Sequence, residues 1–211
     1  MAIHKWENTD RVVVSLESHG RNHEFKDVDI TNTVGWFTNN YPILLESYND
    51  KELNYKIRSV KEMLRNIPSG GFNYSLLKYL TKDNDLRFKD YIPKYSFNYM
   101  GQFIEEEASL FRRSDMPIGD TISNKNRNLF DIDINAIVKE ECFLITFRFN
   151  INKYNEVEIN ELSDKYIDAL KTVINYCLSK TEKVLSPSDL GYSDFSIDEL
   201  DDLLNELDDI E

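Results

Sequence analysis

The chain has 211 residues, 41% hydrophobic and 12% aromatic, which is enough apolar material for one domain or one large lobe and argues against wholesale disorder. Its formal charge of -13 repels a phosphate backbone, so nucleic acid is not expected as a partner. Eight acids and no base fall within residues 196–211, leaving about -5 for everything before them, an ordinary surface charge. No apolar run approaches the roughly 20 residues that span a bilayer, and no basic-then-hydrophobic leader opens the chain; a cytoplasmic protein without membrane contact is expected. Cys142 and Cys177 are far apart and outside any CxxC, which predicts buried, reduced thiols.

In chain order, Val12-Val13-Val14-Ser15-Leu16 predicts a strand over 11–17 covered on both faces. Glu17 follows directly, and composition leaves it either a surface residue or a carboxylate aimed into a cleft. Residues 22–42 read as polar and turn-rich, interrupted by Val34-Gly35-Trp36-Phe37, whose aromatics are expected in the core or at an interface between lobes. Leu53, Ile57, Val60, Leu64 and Ile67 recur at helical spacing, and Pro68-Ser69-Gly70-Gly71 ends that helix. A short helix over 73–80 follows, with Leu76, Leu77 and Leu80 expected inward, then a strand over 95–99 and a polar excursion over 104–128.

Ile132, Ile134, Ala136 and Val138 alternate with Asp131, Asp133, Asn135 and Ile137, and Phe143, Ile145, Phe147 and Phe149 alternate after Lys139-Glu140-Glu141. Together they predict an antiparallel hairpin. Residues 159–178 form an amphipathic helix that covers the sheet. The core ends near residue 180, residues 181–195 read as a linker around Ser186-Pro187-Ser188-Asp189, and residues 196–211 as an acidic amphipathic helix opened by a Ser196–Glu199 capping box. Its stripe of Ile197, Leu200, Leu203, Leu204 and Leu207 reads as a solvated end or as a docking segment for another subunit, and its removal is expected to leave the fold intact.

Four segments in register carry a family resemblance. Glu17-Ser18-His19-Gly20-Arg21-Asn22, Thr33-Val34-Gly35-Trp36-Phe37-Thr38 with Tyr41-Pro42 and Leu45, Ile67-Pro68…Gly71-Phe72-Asn73-Tyr74…Leu77, and Phe97-Asn98-Tyr99-Met100-Gly101-Gln102-Phe103 resemble motifs of the epimerization domains of nonribosomal peptide synthetases, in the condensation-domain superfamily. Ser18 stands where the family has Gly, and Asn22 where it has a second Glu. The family's His-His-x-x-x-Asp motif, which belongs to its N-terminal lobe, is absent: the histidines are His4, His19 and His23.

The resemblance implies an α/β protein, the C-terminal lobe of a chloramphenicol-acetyltransferase-like fold with a mixed sheet covered by helices. It implies inversion of the α-carbon of an aminoacyl or peptidyl thioester carried on the phosphopantetheine of a carrier protein, with no cofactor or metal of the chain's own. Its partners would be that carrier protein, the missing N-terminal lobe and, through residues 196–211, a downstream synthetase subunit. Inversion needs a proton taken from one face and delivered to the other, so two acid/base groups on opposite walls suffice. By resemblance Glu17 is one, and a histidine of the other lobe is the second. Asn98 and Tyr99 would hold the thioester carbonyl or enolate oxygen, or else simply satisfy backbone groups.

Arg21 reads as an orienting partner of Glu17 or of its loop, and His19 as a brace of the turn. His19 and His23 are four apart beside Glu24, but a zinc pair of that spacing needs a helix, which Gly20 argues against. A lone lobe is expected to be inactive, and a non-catalytic lobe that binds carrier or subunit is the competing reading.

Overall fold

The computed structural model describes residues 1–21, 28–82, 91–103, 128–181, 183–191 and 195–208, with isolated positions between 116 and 126. Five strands form one mixed sheet in the order β2-β1-β3-β4-β5. They are β1 (Arg11–Ser18), β2 (Asn39–Glu46), β3 (Tyr95–Phe103), β4 (Ile132–Lys139) and β5 (Cys142–Phe149). The outer pairs β1–β2 and β4–β5 are antiparallel, and β3 lies parallel to both β1 and β4. Among the described residues the α-helices are α1 (Ala2–Glu7), α2 (Leu53–Arg65), α3 (Phe72–Tyr79), α4 (Glu156–Ser179) and α5 (Ile197–Asp208).

Strand alternation decides where the core sits. Val12, Val14, Ile43, Tyr95, Ile132 and Ile134 point to one face and are buried with Ile159 and Leu162 of α4; Met63 of α2, Ile67 and Phe147 pack against them. In β1, flanked by β2 and β3, Val12, Val14 and Ser15 are buried and Val13 and Leu16 half-buried. The long helix starts on a capping box, in which Asn155 Oδ1 accepts from Glu158 N at 3.1 Å and Glu158 Oε2 accepts from Asn155 N at 2.9 Å.

Several expectations are corrected. The polar stretch ending at residue 42 holds the first half of β2, an edge strand in which Pro42 is tolerated because an edge leaves one side of the backbone unpaired. Leu76, Leu77 and Leu80 are exposed, because α3 is short and lies at the β2 edge of the sheet. Val60 and Leu64 of α2 are also more than 40% exposed and border an apolar cavity of about 420 Å³ between α2, α4 and the sheet. Cys142 and Cys177 are exposed free thiols, placed at a hairpin end and in the last turn of α4. Trp36 is 88% exposed and is no core residue of this chain.

Residues 186–190 are a 3-10 turn seated on α2 in place of an open linker. Ser186 and Pro187 are fully buried, Ser188 donates to Glu62, and Asp189 pairs with Lys61 and Arg65. Beyond it α5 folds back on α2. Ile197 and Leu200 are buried, Lys51 Nζ lies 2.8 Å from Asp198, and Arg58 makes a bidentate pair with Asp201 at 2.6 Å on both nitrogens. No helix among the described residues is long and apolar enough to cross a membrane.

Candidate active site

The middle of the sheet face opposite the core is polar, with Val13 and Leu44 at one end of it and Ile137 and Leu144 at the other. Glu17 pairs with Asn40 of β2, and one residue beyond the Leu16–Phe97 pair it stands level with Asn98 of β3. Asn98 pairs with Asn135 and Asn135 with Thr146, so one row across all five strands reads Asn40, Glu17, Asn98, Asn135, Thr146. The neighbouring row reads Pro42, Ser15, Ser96, Asp133, Arg148. A carboxylate therefore sits among amides and hydroxyls that can donate to a developing oxyanion.

Tyr99 goes elsewhere. It follows Asn98 in an extended strand and pairs with Ala136, whose side chain is buried on the helix-covered face. Glu17 and Asn98 are brought together, and Tyr99 is not with them. A register shift between Tyr99 and Gln102, where Gly101 takes a positive φ, then interrupts the pairing of β3 with β4, which resumes at Gln102–Val138 and Phe103–Lys139.

The turn after β1 is fixed from within. Gly20 N donates to Ser18 Oγ at 3.3 Å, and Arg21 N donates to Nδ1 of His19 at 3.0 Å. The Arg21 guanidinium donates to the carbonyls of Ile30 at 2.6 Å and Thr33 at 2.9 Å and stands 4.4 Å over the Phe37 ring. Arg21 thus orders the loop. Gly20, at φ 64, meets the Phe37 carbonyl so closely that a Cβ would lie 1.6 Å from its oxygen. Gly71, at φ 88, leaves room for the Tyr41 ring in the same way, with a Cβ 1.9 Å from a ring carbon. The four sequence motifs are one physical unit: the first locks to the second through Gly20 and Phe37, the second to the third through Tyr41 and Gly71, and the fourth lies beside the first as neighbouring strands.

Glu17 reaches the surface, yet its carboxyl titrates above the ordinary glutamate range, first because neighbouring atoms strip part of its water and then because Asp133 is negative. The period-2 pattern of Ile132–Val138 places Asp133 on the polar face, but nothing in the sequence gives the order of the strands. Neither the apolar cavity beneath α2 and α4 nor one of about 870 Å³ beside Pro93 and Asn150 includes Glu17 or Asn98. No group of three or more metal-ligating side chains occurs among the described residues; His23 and Glu24, weighed with His19 as a zinc pair, lie outside them.

Residues 1–195 match the condensation domain family. Gramicidin S synthase 1 of Brevibacillus brevis is 34% identical over 97% of this chain, and surfactin synthase subunit 1 of Bacillus subtilis 36% identical over 97%. The chain spans only 20% and 6% of those two proteins. Among solved structures, the epimerization domain from the third module of tyrocidine synthetase B superposes with a TM-score of 0.74 at 34% identity, over 85% of this chain and 40% of that one. A condensation domain that releases chains from the enacyloxin polyketide synthase shares the fold, with a TM-score of 0.54 at 15% identity, over 87% of this chain and 35% of that one. These likenesses bear out the expected architecture, an α/β lobe of the chloramphenicol-acetyltransferase-like type built on a mixed sheet. The chain belongs to the condensation domain family.

Proposed function

We propose that this chain is the C-terminal lobe of a peptide-synthetase epimerization domain, inverting the α-carbon of an aminoacyl or peptidyl thioester held on a carrier protein's phosphopantetheine. Support comes from the solved epimerization domain, 34% identical over 85% of the chain, and above all from the placement of Glu17 level with Asn98 on a polar face. A thioester delocalises an α-carbanion into its carbonyl, so the residues need only move protons and hold the oxygen. Glu17 is one acid/base group, with a proton affinity raised toward neutrality. Asn98, on the same side, is the oxygen-binding donor this arrangement favours over Tyr99.

The opposing group belongs to an N-terminal lobe, without which turnover is absent. Leu203, Leu204 and Leu207, the exposed edge of α5, are what the tail offers a downstream subunit.

The test is α-deuterium washout from a carrier-loaded aminoacyl thioester. The chain alone is expected to give none, and adding the N-terminal lobe to give exchange that Glu17→Gln lowers by about 10²–10⁴-fold. Restored exchange indifferent to Glu17 would remove it from catalysis. No exchange under any combination would favour a lobe that only binds carrier or subunit.

A further inference from the structure

β5 is an open edge: β4 lies on one side of it, and among the described residues no strand lies on the other. The opposite edge of the sheet is guarded, since β2 carries Pro42, and α3 and the turn over 68–71 lie against it. β5 has no such guard. Its residues, Cys142–Phe149, include no Pro and no Gly, and Arg148 is the one charge. Phe143 and Leu144 are exposed, and Ile145, Phe147 and Phe149 are only half-buried although they face the core side.

The hairpin fixes which backbone groups of β5 are free. A two-residue turn closes on a pair that exchanges hydrogen bonds, here Lys139 and Cys142, so the even-numbered residues of β5 turn N–H and C=O toward β4. Just past the strand, Asn150 N donates to the Asp131 carbonyl at 2.9 Å, in the same phase. Phe143, Ile145, Phe147 and Phe149 therefore turn theirs outward, a donor and an acceptor at every second residue.

We propose that this edge pairs with β5 of a second copy of the chain, antiparallel about a two-fold axis at Thr146, joining two sheets into one. The strand is complementary to itself in that register. Keeping each face of the sheet on its own side requires odd residues to oppose odd and even to oppose even. Centring on Thr146 then sets Phe143 against Phe149, and Ile145 against Phe147, of the second copy. Every outward residue is hydrogen-bonded, with about eight bonds across the seam. The core side gains aromatic–aromatic and aromatic–β-branched pairs, and on the polar side Thr146 meets Thr146. Arg148 lies opposite Leu144, so no like charges face each other. An axis at Ile145 would instead set Phe149 against Glu141, a turn residue at φ 62, and lose that pair. In the joined sheet the two polar faces, each with its Glu17, lie on one side.

The test is sedimentation of the full chain across a concentration series. A monomer–dimer equilibrium is expected. Thr146→Lys sets two ammonium groups opposite each other from an exposed position and is expected to leave only monomer. Because Cys142 and Cys177 are exposed thiols, a second measurement uses a background of Cys142→Ser and Cys177→Ser. There Thr146→Cys is expected to give a disulfide-linked dimer with oxidised glutathione, since an antiparallel pair that exchanges no hydrogen bonds brings its Cα atoms to about 4.5 Å. Leu144→Cys in the same background is expected to give none, its counterpart lying about 13 Å along the strand. A chain that stays monomeric at every concentration overturns the proposal. So does a dimer that Thr146→Lys leaves intact, or one that links as readily through Leu144→Cys as through Thr146→Cys.

Discussion

Gly20 and the carbonyl of Phe37 touch so closely that no other residue fits at position 20: an added Cβ would stand 1.6 Å from the oxygen, at a φ of 64 that side chains resist. The same contact anchors the turn that follows Glu17. Gly20→Ala is therefore expected to destabilise the chain by about 2 kcal/mol or more, the strain of a left-handed residue adding to a clash with backbone. Urea denaturation measures it. A midpoint equal to wild type would show that the turn and the Thr33–Thr38 segment are not held together.

Glu17 gives a pH prediction with a definite sign. Its carboxyl binds a proton more tightly folded than unfolded, through partial desolvation and then Asp133. Above the folded value the ionised Glu17 destabilises the native state. That cost is relieved as pH falls through the folded value, and is gone below the ordinary glutamate range, where both states are protonated. Glu17→Gln is thus expected to raise Tm at pH 8, with a gain that shrinks on acidification and vanishes near pH 4. A gain independent of pH would mean that the charge of Glu17 carries no cost in the fold. A residue that destabilises at working pH is one that packing alone does not explain.

The hairpin β4–β5 and the helix α4 were legible because each repeats one period long enough to count, Ile132, Ile134 and Ala136 against Phe143, Ile145 and Phe147, and Ile159, Leu162 and Tyr166 along the helix, and strand β1 because Val12-Val13-Val14 is a short β-branched apolar run. The start of β2 was not, since Asn39-Asn40-Tyr41-Pro42 has the composition of a turn and only the neighbouring β1 holds it extended. For the site, Glu17 stood out through its motif. Its adjacency to Asn98 depends on which strand lies next to β1, a fact of topology, and its coupling to Asp133 depends on a third strand. The separation of Asn98 from Tyr99 was within reach of the sequence, because consecutive residues of a strand face opposite ways.

Arg58 and Asp201 tie α5 to α2, which bears on the expectation that removing residues 196–211 leaves the fold intact. The Arg58 side chain is 6% exposed and its two terminal nitrogens both meet Asp201 at 2.6 Å, which holds the guanidinium charge more firmly still. Asp201→Ala leaves a buried guanidinium facing no carboxylate and is expected to cost about 1–3 kcal/mol, below the cost of a wholly buried pair because Asp201 itself is 40% exposed. Deleting residues 196–208 also uncovers the surface beneath Ile197 and Leu200 and is expected to cost more than the point substitution. Pairing Asp201→Ala with Arg58→Leu is expected to recover part of the loss, since the stranded charge goes with it. A double mutant no better than Asp201→Ala would show that the ion pair is not what fastens α5 to α2.

The turn between β4 and β5 is built from residues poorly suited to it. Glu140 and Glu141 sit at φ 50 and 62, closing a two-residue hairpin below the Lys139–Cys142 pair. Turns with both central residues left-handed favour Asn-Gly, because Asn tolerates that region and Gly has no Cβ to strain. Replacing Glu140→Asn and Glu141→Gly is expected to stabilise the chain by about 1 kcal/mol, relief of two strained backbones outweighing the greater freedom of the unfolded glycine. The ion pair given up, Lys139 Nζ to Glu140 at 3.1 Å, involves a glutamate 73% exposed and contributes little. The change should appear as a higher urea midpoint with an unchanged slope. Because the turn lies at the far end of the strand carrying Asp133, the Glu17 titration should not move with it, and a shift there would mean that the hairpin and the polar face are mechanically coupled.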